Sequence, residues 1–80
     1  MSIGEYGGVT KLKMSKKNPN ICYIGTTLGE FHLLDITSCL IVKTLNGHAS
    51  AVTDFVEIES RNEVVTAGED KCCFVFDVTI

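Results

Sequence analysis

The 80-residue chain has no tryptophan, one proline and no long run of apolar residues. A helix that crosses a bilayer needs about 20 predominantly apolar residues, so the sequence predicts no membrane segment and no membrane partner. Residues 1–8 are polar and glycine-rich and lack the basic start of a secretion signal, which predicts an intracellular location. Because 45% of the residues are hydrophobic, the chain is too apolar for a disordered tail.

An excess of positive charge is also missing. Seven Lys and Arg residues stand against ten Asp and Glu residues, which gives a net charge of −3. Phosphate binding depends on clustered Lys and Arg, so nucleic acid is disfavoured as a partner. The charge is uneven, since residues 1–20 carry +3 and residues 51–80 carry −5. We expect this polarity to hold two halves of the molecule together.

The cysteines lack the spacing of a metal site. They are Cys22, Cys39, Cys72 and Cys73. No two of them have the C-x-x-C spacing, and neither histidine completes a zinc-finger pattern. We therefore predict no metal and no cofactor, and we interpret the four cysteines as small hydrophobic residues in a reducing compartment.

Short runs rich in Val, Ile, Thr, Phe and Leu alternate with turn residues and predict seven β-strands. The predicted strands are residues 9–14, 21–26, 30–36, 40–45, 51–58, 64–67 and 72–78. No stretch of a dozen residues combines helical periodicity with helix caps. The connections are too short for parallel crossovers, so the sequence predicts an all-β fold with antiparallel strands.

An internal repeat relates residues 9–36 to residues 52–78. The offset is 43 at the start and 42 at the end, and a longer first loop absorbs the difference. A period of about 40–45 residues with four strands is typical of a β-propeller blade. We divide the chain into a tail (1–8), a first repeat (9–45) and a second repeat without an outermost strand (46–80).

The second repeat carries an ordered set of motifs. Gly47-His48 precedes the fifth strand, a Gly-Glu-Asp-Lys turn (68–71) follows the sixth, and Phe76-Asp77 ends the seventh. Together these motifs resemble one WD repeat of a β-propeller, and the first repeat resembles a degenerate neighbour without the Gly-His pair. The resemblance implies four-stranded antiparallel blades of an incomplete propeller, about one and three-quarter blades in all and C-terminal in origin.

The resemblance also implies a buried hydrogen-bond network in the second repeat. Its members are His48, Thr66, Asp70 and, where the family has tryptophan, Phe76. A neutral histidine can donate to a carboxylate from one ring nitrogen and accept from a hydroxyl at the other. Phenylalanine has no N–H, so Phe76 is left with a packing role. The same three polar residues could be read as a catalytic triad, but we predict a structural role and no enzyme activity.

The first repeat lacks this network, because Leu28 stands where the turn aspartate would be. We expect that repeat to depend on apolar packing instead. The residues expected to provide it are Leu12, Ile24, Phe31, Leu33 and Leu34. His32 lies between two of them and is interpreted as a histidine on the polar face of its strand.

WD-repeat propellers are mostly non-catalytic platforms for other proteins, so the resemblance implies an interaction scaffold in a larger assembly. The candidate partner-contact residues are Lys11, Thr27, Asp54 and Glu69. Further blades, or further copies of this chain, are the other predicted partners, and a self-assembling propeller piece is the alternative function.

Two WD-repeat groups share short runs with the chain. One contains angio-associated migratory cell protein and a fungal chaperone of a ribosomal protein, and the other contains axonemal WD-repeat proteins. These likenesses leave a role in ribosome assembly or in the axoneme as alternatives. The predicted location is the cytoplasm, with the nucleus and the cilium as alternatives.

Overall fold

A computed structural model describes residues 8–79, and within them lie seven β-strands and one short 3-10 helix. The strands are β1 (Val9–Met14), β2 (Ile21–Thr26), β3 (Glu30–Asp35), β4 (Leu40–Asn46), β5 (Val52–Ile58), β6 (Glu63–Gly68) and β7 (Cys73–Asp77), and the 3-10 helix is Glu59–Arg61. Each strand begins and ends within one residue of its predicted bounds. Nearly all of the tail and the last residue lie outside the described residues.

The strands form two antiparallel sheets in chain order. The first sheet has the order β1-β2-β3-β4 and the second has the order β5-β6-β7. The predicted all-β antiparallel fold is therefore confirmed. No helix among the described residues has the length and apolar character that a membrane crossing requires.

The two sheets repeat the same backbone geometry. The first strand of each sheet contains a register shift, between Val9 and Lys11 in one and between Val52 and Asp54 in the other. After the third strand, Ile36 N–H donates to the Asn20 carbonyl at 3.0 Å, and 42 residues later Val78 N–H donates to the Asn62 carbonyl at 2.9 Å. The sequence offset of 43 thus separates the two register shifts, and the offset of 42 separates the two equivalent hydrogen bonds.

The turn between the second and third strands is also shared. Gly29 has φ of 82°, and its equivalent in the second sheet, Lys71, has φ of 64°. Left-handed backbone is uncommon for residues with a side chain, so Lys71 adopts a conformation that glycine adopts at no steric cost. At Gly29 a Cβ would also contact the carbonyl oxygen of His48 and approach that of Ser50 at 2.7 Å, so the first sheet requires glycine there.

The hydrophobic core lies between the two sheets. Its buried members are Ile21, Tyr23, Phe31, Leu33, Val52, Phe55, Val64 and Val78. Aromatic rings join the sheets, with Phe31 and Phe55 edge to face at a centroid separation of 5.0 Å. Such pairs contribute about 0.5–1.5 kcal/mol beyond the burial of their area. The core therefore stabilises the contact between the repeats as well as each repeat.

One expectation about packing is wrong. Leu12 is 46% exposed, because it lies on the edge strand β1 and alternates with Lys13, whose cross-strand neighbour Tyr23 faces the second sheet. Leu12 therefore lies on the face turned away from the core. Of the four cysteines, Cys22 is buried and the other three are exposed. All four are free thiols, and the described residues contain no group of His, Cys, Asp and Glu that could hold a metal ion.

Candidate functional site: a buried network and a loop rim

His48 connects Asp70 to Thr66 in the second sheet. Its Nδ1 lies 3.1 Å from Asp70 Oδ1, and its Nε2 lies 2.7 Å from Thr66 Oγ1. An ionised carboxylate can only accept, so the proton on His48 Nδ1 is donated to Asp70. Nε2 then accepts from the Thr66 hydroxyl. Both the His48 side chain and Thr66 are fully buried, so each polar atom finds its partner inside the protein.

Asp70 also stabilises the backbone on both sides of the network. Its Oδ2 accepts from Ala49 N–H at 2.9 Å, and its Oδ1 accepts from Cys72 N–H at 3.2 Å. These donors favour the charged carboxylate. The Ala49 N–H, followed by His48, lowers the pKa of Asp70 below its ordinary value. One carboxylate thus joins the loop before β5 to the turn before β7.

Gly68 makes room for the network. A Cβ at this position would overlap His48 Nδ1 and would lie 2.7 Å from Asp70 Oδ1. Neither neighbour can move without losing the hydrogen bond between them. In the sequence Gly68 is recognisable only as a turn residue, and its repeat spacing carries no sign of this close approach.

The predicted fourth member, Phe76, lies apart from His48. The aromatic ring that meets His48 edge to face is Phe74, at a centroid distance of 4.8 Å. Phe76 stacks on Phe31 at 6.3 Å with an interplanar angle of 9°, so its ring reaches the first sheet. A Cβ on Gly47 would approach Phe76 Cζ at 2.9 Å, which places Phe76 beneath the Gly-His segment.

His32 in the first sheet is not on a polar face, which corrects the sequence interpretation. Its side chain is fully buried, and its Nδ1 lies 2.9 Å from Thr44 Oγ1 on the neighbouring strand. Burial lowers the pKa of His32, and the nearby Glu30 carboxylate opposes this only in part. Strand alternation placed His32 opposite Phe31 correctly, but alternation cannot tell a covered face from a solvated one.

A second polar cluster, which the sequence analysis missed, joins the two sheets at the opposite end. Glu57 on β5 accepts from the Ser15 hydroxyl at 2.6 Å and the Tyr23 hydroxyl at 2.8 Å through Oε2. Its Oε1 accepts from Lys16 N–H at 2.7 Å. We call these four residues the Glu57 cluster. Glu57 is 34 to 42 residues from the other three members in the chain, so no local motif could have identified the cluster.

The electrostatics of the Glu57 cluster favour a charged Glu57 and a neutral Tyr23. Burial raises the pKa of Glu57, but the hydrogen bonds from Ser15, Lys16 and Tyr23 outweigh it and the net pKa is lowered. Burial, opposed in part by Ser15 and reinforced by Glu57, raises the pKa of Tyr23 to about 12. The phenol therefore remains a donor and the carboxylate remains an acceptor across the neutral range.

The four predicted partner-contact residues lie at one end of the two sheets, where β1 and β5 begin and β2 and β6 end. We call this end the loop rim: Lys11, Thr27, Asp54 and Glu69. Lys11 Nζ and Asp54 Oδ1 form an ion pair at 3.0 Å, so two of the four already contact each other between the sheets. Thr27 and Glu69 are exposed on their turns. Beside Thr27, the apolar side chain of Leu28 is 56% exposed.

Two cavities lined by described residues lie away from the His48 network. One of about 300 Å³ is lined by Ser15, Ile21 and Tyr23, among others, and one of about 160 Å³ is lined by Met14 and Phe55, among others. None of the three network residues lines either of them. Thr66 is fully buried, so its hydroxyl is not presented to a substrate.

Comparison with known proteins identifies the architecture. The Cps50 (Swd1) β-propeller domain of Myceliophteria thermophila superposes with a TM-score of 0.82 at 15% sequence identity. The chain has the fold of β-propeller blades. Its sheets of four and three strands make up about one and three-quarter blades of an incomplete propeller.

Two computationally designed proteins are also similar. Ika4 has a TM-score of 0.78 at 27% identity, and Ika8 has a TM-score of 0.74 at 28% identity. The aligned region is 90%, 98% and 89% of this chain for the three structures, but only 22%, 46% and 21% of their own chains. No family model and no curated protein matches the sequence.

Proposed function

We propose that this chain is a WD-repeat portion of a β-propeller and serves as a non-catalytic platform that binds other proteins. The trio of His48, Thr66 and Asp70 supports the WD-repeat assignment, because it has the residue types and the connectivity that the resemblance implies. The complete burial of Thr66, away from both cavities, supports a structural rather than a catalytic trio.

The observation that carries the binding role is the composition of the loop rim. Thr27 and Glu69 are exposed at the same end of the two blades, and Leu28 adds an exposed apolar side chain next to them. Loops held in place by rigid sheets are common sites of recognition. The rim therefore offers polar groups beside an exposed apolar side chain, and protein interfaces commonly combine the two.

The experiment compares two double variants with matched changes at opposite ends of the blades. Thr27→Arg/Glu69→Gln alters the rim, and Ser38→Arg/Ser60→Arg alters exposed turns at the other end, so each variant raises the net charge by two. After chemical crosslinking in cells and quantitative mass spectrometry, we expect the rim variant to lose specific partners that the control variant retains. Equal melting temperatures would exclude misfolding as the cause. Identical partner sets for both variants would contradict the proposal.

Association with further blades is the second candidate function. It is favoured by the second blade, where Val56 and Val75 remain 59% and 60% exposed. We place the chain in the cytoplasm, as an expectation that microscopy of a tagged chain would test. Roles in ribosome assembly or in the axoneme depend on short sequence likenesses and stay predictions.

A further inference from the structure

The larger cavity, of about 300 Å³, lies between the two blades beside the Glu57 cluster, at the end opposite the loop rim. Its apolar wall is formed by Ile21 and Tyr23 of the first blade and by Val78, just after β7. All three are at least nine-tenths buried. Ligand sites in proteins occupy about 300–1,000 Å³ and combine a mostly apolar lining with a few polar groups. This space, which we call the interblade cavity, is at the lower limit and matches a single side chain better than a larger ligand.

Backbone hydrogen bonds hold both walls of the interblade cavity in place. In the turn after β1, Ser15 N–H donates to the Ile21 carbonyl at 2.9 Å, and Ile21 N–H donates to the Asn18 carbonyl at 3.0 Å. On the opposite wall, Val78 N–H donates to the Asn62 carbonyl at 2.9 Å. A site whose walls are fixed before binding loses little conformational entropy when a ligand enters.

The lining of the interblade cavity carries two carboxylates against one ammonium group. The carboxylates belong to Glu57 and Glu59, and the ammonium group belongs to Lys17. Lys17 Nζ donates to the backbone carbonyl of Glu59 at 3.1 Å rather than to either carboxylate. None of the ion pairs within residues 8–79 includes Glu57 or Glu59. The cavity therefore has an excess of negative charge that no cationic side chain of the described residues neutralises by direct contact.

The two carboxylates differ in what they can offer a ligand. Glu57 already accepts hydrogen bonds through both oxygens, from the Tyr23 hydroxyl and Lys16 N–H among others, so it contributes mainly its charge. Glu59 is exposed, and no group of the described residues donates a hydrogen bond to its carboxylate. Glu59 can therefore accept from a ligand without losing an internal contact. An apolar wall that ends at a carboxylate is complementary to a side chain with an apolar stem and a cationic head.

We propose that the interblade cavity binds an arginine side chain of a partner protein. The aliphatic stem of the arginine packs on Ile21, Tyr23 and Val78, and its guanidinium group donates to the Glu59 carboxylate. Arginine suits this site because its guanidinium is weakly hydrated and presents N–H donors in the geometry of a carboxylate. The inference shares with the proposed function only the premise that the chain binds proteins, since it concerns a site separate from the loop rim.

The test titrates the isotope-labelled chain with the capped peptide acetyl-Gly-Arg-Gly-amide and follows the backbone amides by NMR. We expect saturable shifts at the amides of Ile21, Tyr23 and Val78. A second peptide carries citrulline, which has nearly the shape of arginine but no charge. It should bind about tenfold more weakly, because hydrogen bonds to charged groups are stronger than those between neutral groups.

Three variants locate the binding site. Glu59→Gln removes the carboxylate that accepts from the ligand and should weaken binding of the arginine peptide about fivefold. Glu69→Gln makes the same change of charge at the loop rim, is the matched control and should bind like the unaltered chain. Thr79→Trp adds a large side chain to the cavity lining without changing the charge and should abolish binding. Circular dichroism and melting temperatures verify that each variant folds.

Equal affinities for the arginine and citrulline peptides would overturn the proposal. So would the absence of saturable shifts in the unaltered chain, or an equal loss of affinity in Glu59→Gln and Glu69→Gln. None of these outcomes changes the crosslinking comparison at the loop rim. A failure of this inference would therefore leave the binding role of the rim standing, and a failure at the rim would leave this site standing.

Discussion

The two blades keep the same backbone with different buried chemistry. Ile24 in the first blade and Thr66 in the second occupy equivalent positions 42 residues apart, and both are fully buried. Leu28 is 56% exposed in the first blade, whereas its equivalent Asp70 accepts hydrogen bonds from His48 and Ala49. The backbone register is therefore compatible with either an apolar residue or a polar network at these positions.

A buried apolar position and a buried polar network respond differently to substitution. An apolar position loses contacts in proportion to the atoms removed. A polar network is stable only while each buried member keeps its partner, since an orphaned donor or acceptor costs its full desolvation. We therefore expect the position of Ile24 in the first blade to be sensitive to volume and the position of Thr66 in the second blade to be sensitive to the identity of single polar atoms.

The largest expected effect comes from Phe31→Ala at the contact between the blades. Phe31 is fully buried and its ring contacts Tyr23, Phe55 and Phe76. Removing a buried phenylalanine ring costs about 3–5 kcal/mol, which is most of the stability that a small domain has. Urea unfolding followed by circular dichroism measures the loss. Leu28→Ala, at an exposed position, should cost far less, and comparable losses would mean that the interface does not stabilise the chain.

Thr66→Val should cost about 1–3 kcal/mol, because the new side chain has nearly the same shape but leaves His48 Nε2 without its donor. Thr66→Ser retains the hydroxyl and is the matched control. If Thr66→Val and Thr66→Ser were equally stable, the polar network would contribute nothing and the two blades would not differ in the way described.

The counterpart in the first blade sharpens the same comparison. Ile24→Val at the position equivalent to Thr66 removes one methyl group and should cost about 0.5–1.5 kcal/mol through lost packing alone. Its effect should not depend on pH. A larger loss of stability for Ile24→Val than for Thr66→Val in the urea experiment would show that lost packing costs more here than a lost hydrogen bond.

The loss of stability at low pH depends on the Glu57 cluster. Hydrogen bonds keep the pKa of Glu57 below its ordinary value, so the folded state favours the charged carboxylate. This contribution is complete above the unfolded pKa of about 4.5 and is lost as the pH falls through the lower folded value. We expect Glu57→Gln to lower stability at pH 7 by about 1 kcal/mol and to flatten the fall in stability below pH 5. If stability fell below pH 5 as it does in the unaltered chain, the fall would come from other carboxylates, such as Asp70.

Local sequence signals predict the strands. The features that they do not predict depend on contacts between residues that are distant in the chain. Turn residues and β-branched runs placed every strand to within one residue, and the repeat offset revealed the equivalent positions. The Glu57 cluster and the burial of His32 could not be predicted this way. Each depends on which strand or sheet covers a given face, and strand alternation shows only which residues share a face. Gly68 illustrates the same limit, because its importance comes from a side chain 20 residues away.

The smallest expected effect is at the ion pair between the blades. The Lys11 ammonium lies 3.0 Å from Asp54 Oδ1, and these side chains are 35% and 57% exposed. The hydrogen bond from Lys11, with that from Phe55 N–H, lowers the pKa of Asp54. Pairs this exposed contribute about 0.2–1 kcal/mol, less in high salt. We expect Lys11→Gln to shift the urea midpoint slightly at low salt and not at 1 M salt. A salt-independent loss as large as that of Thr66→Val would show that the loop rim, and not the buried network, sets the stability of the second blade.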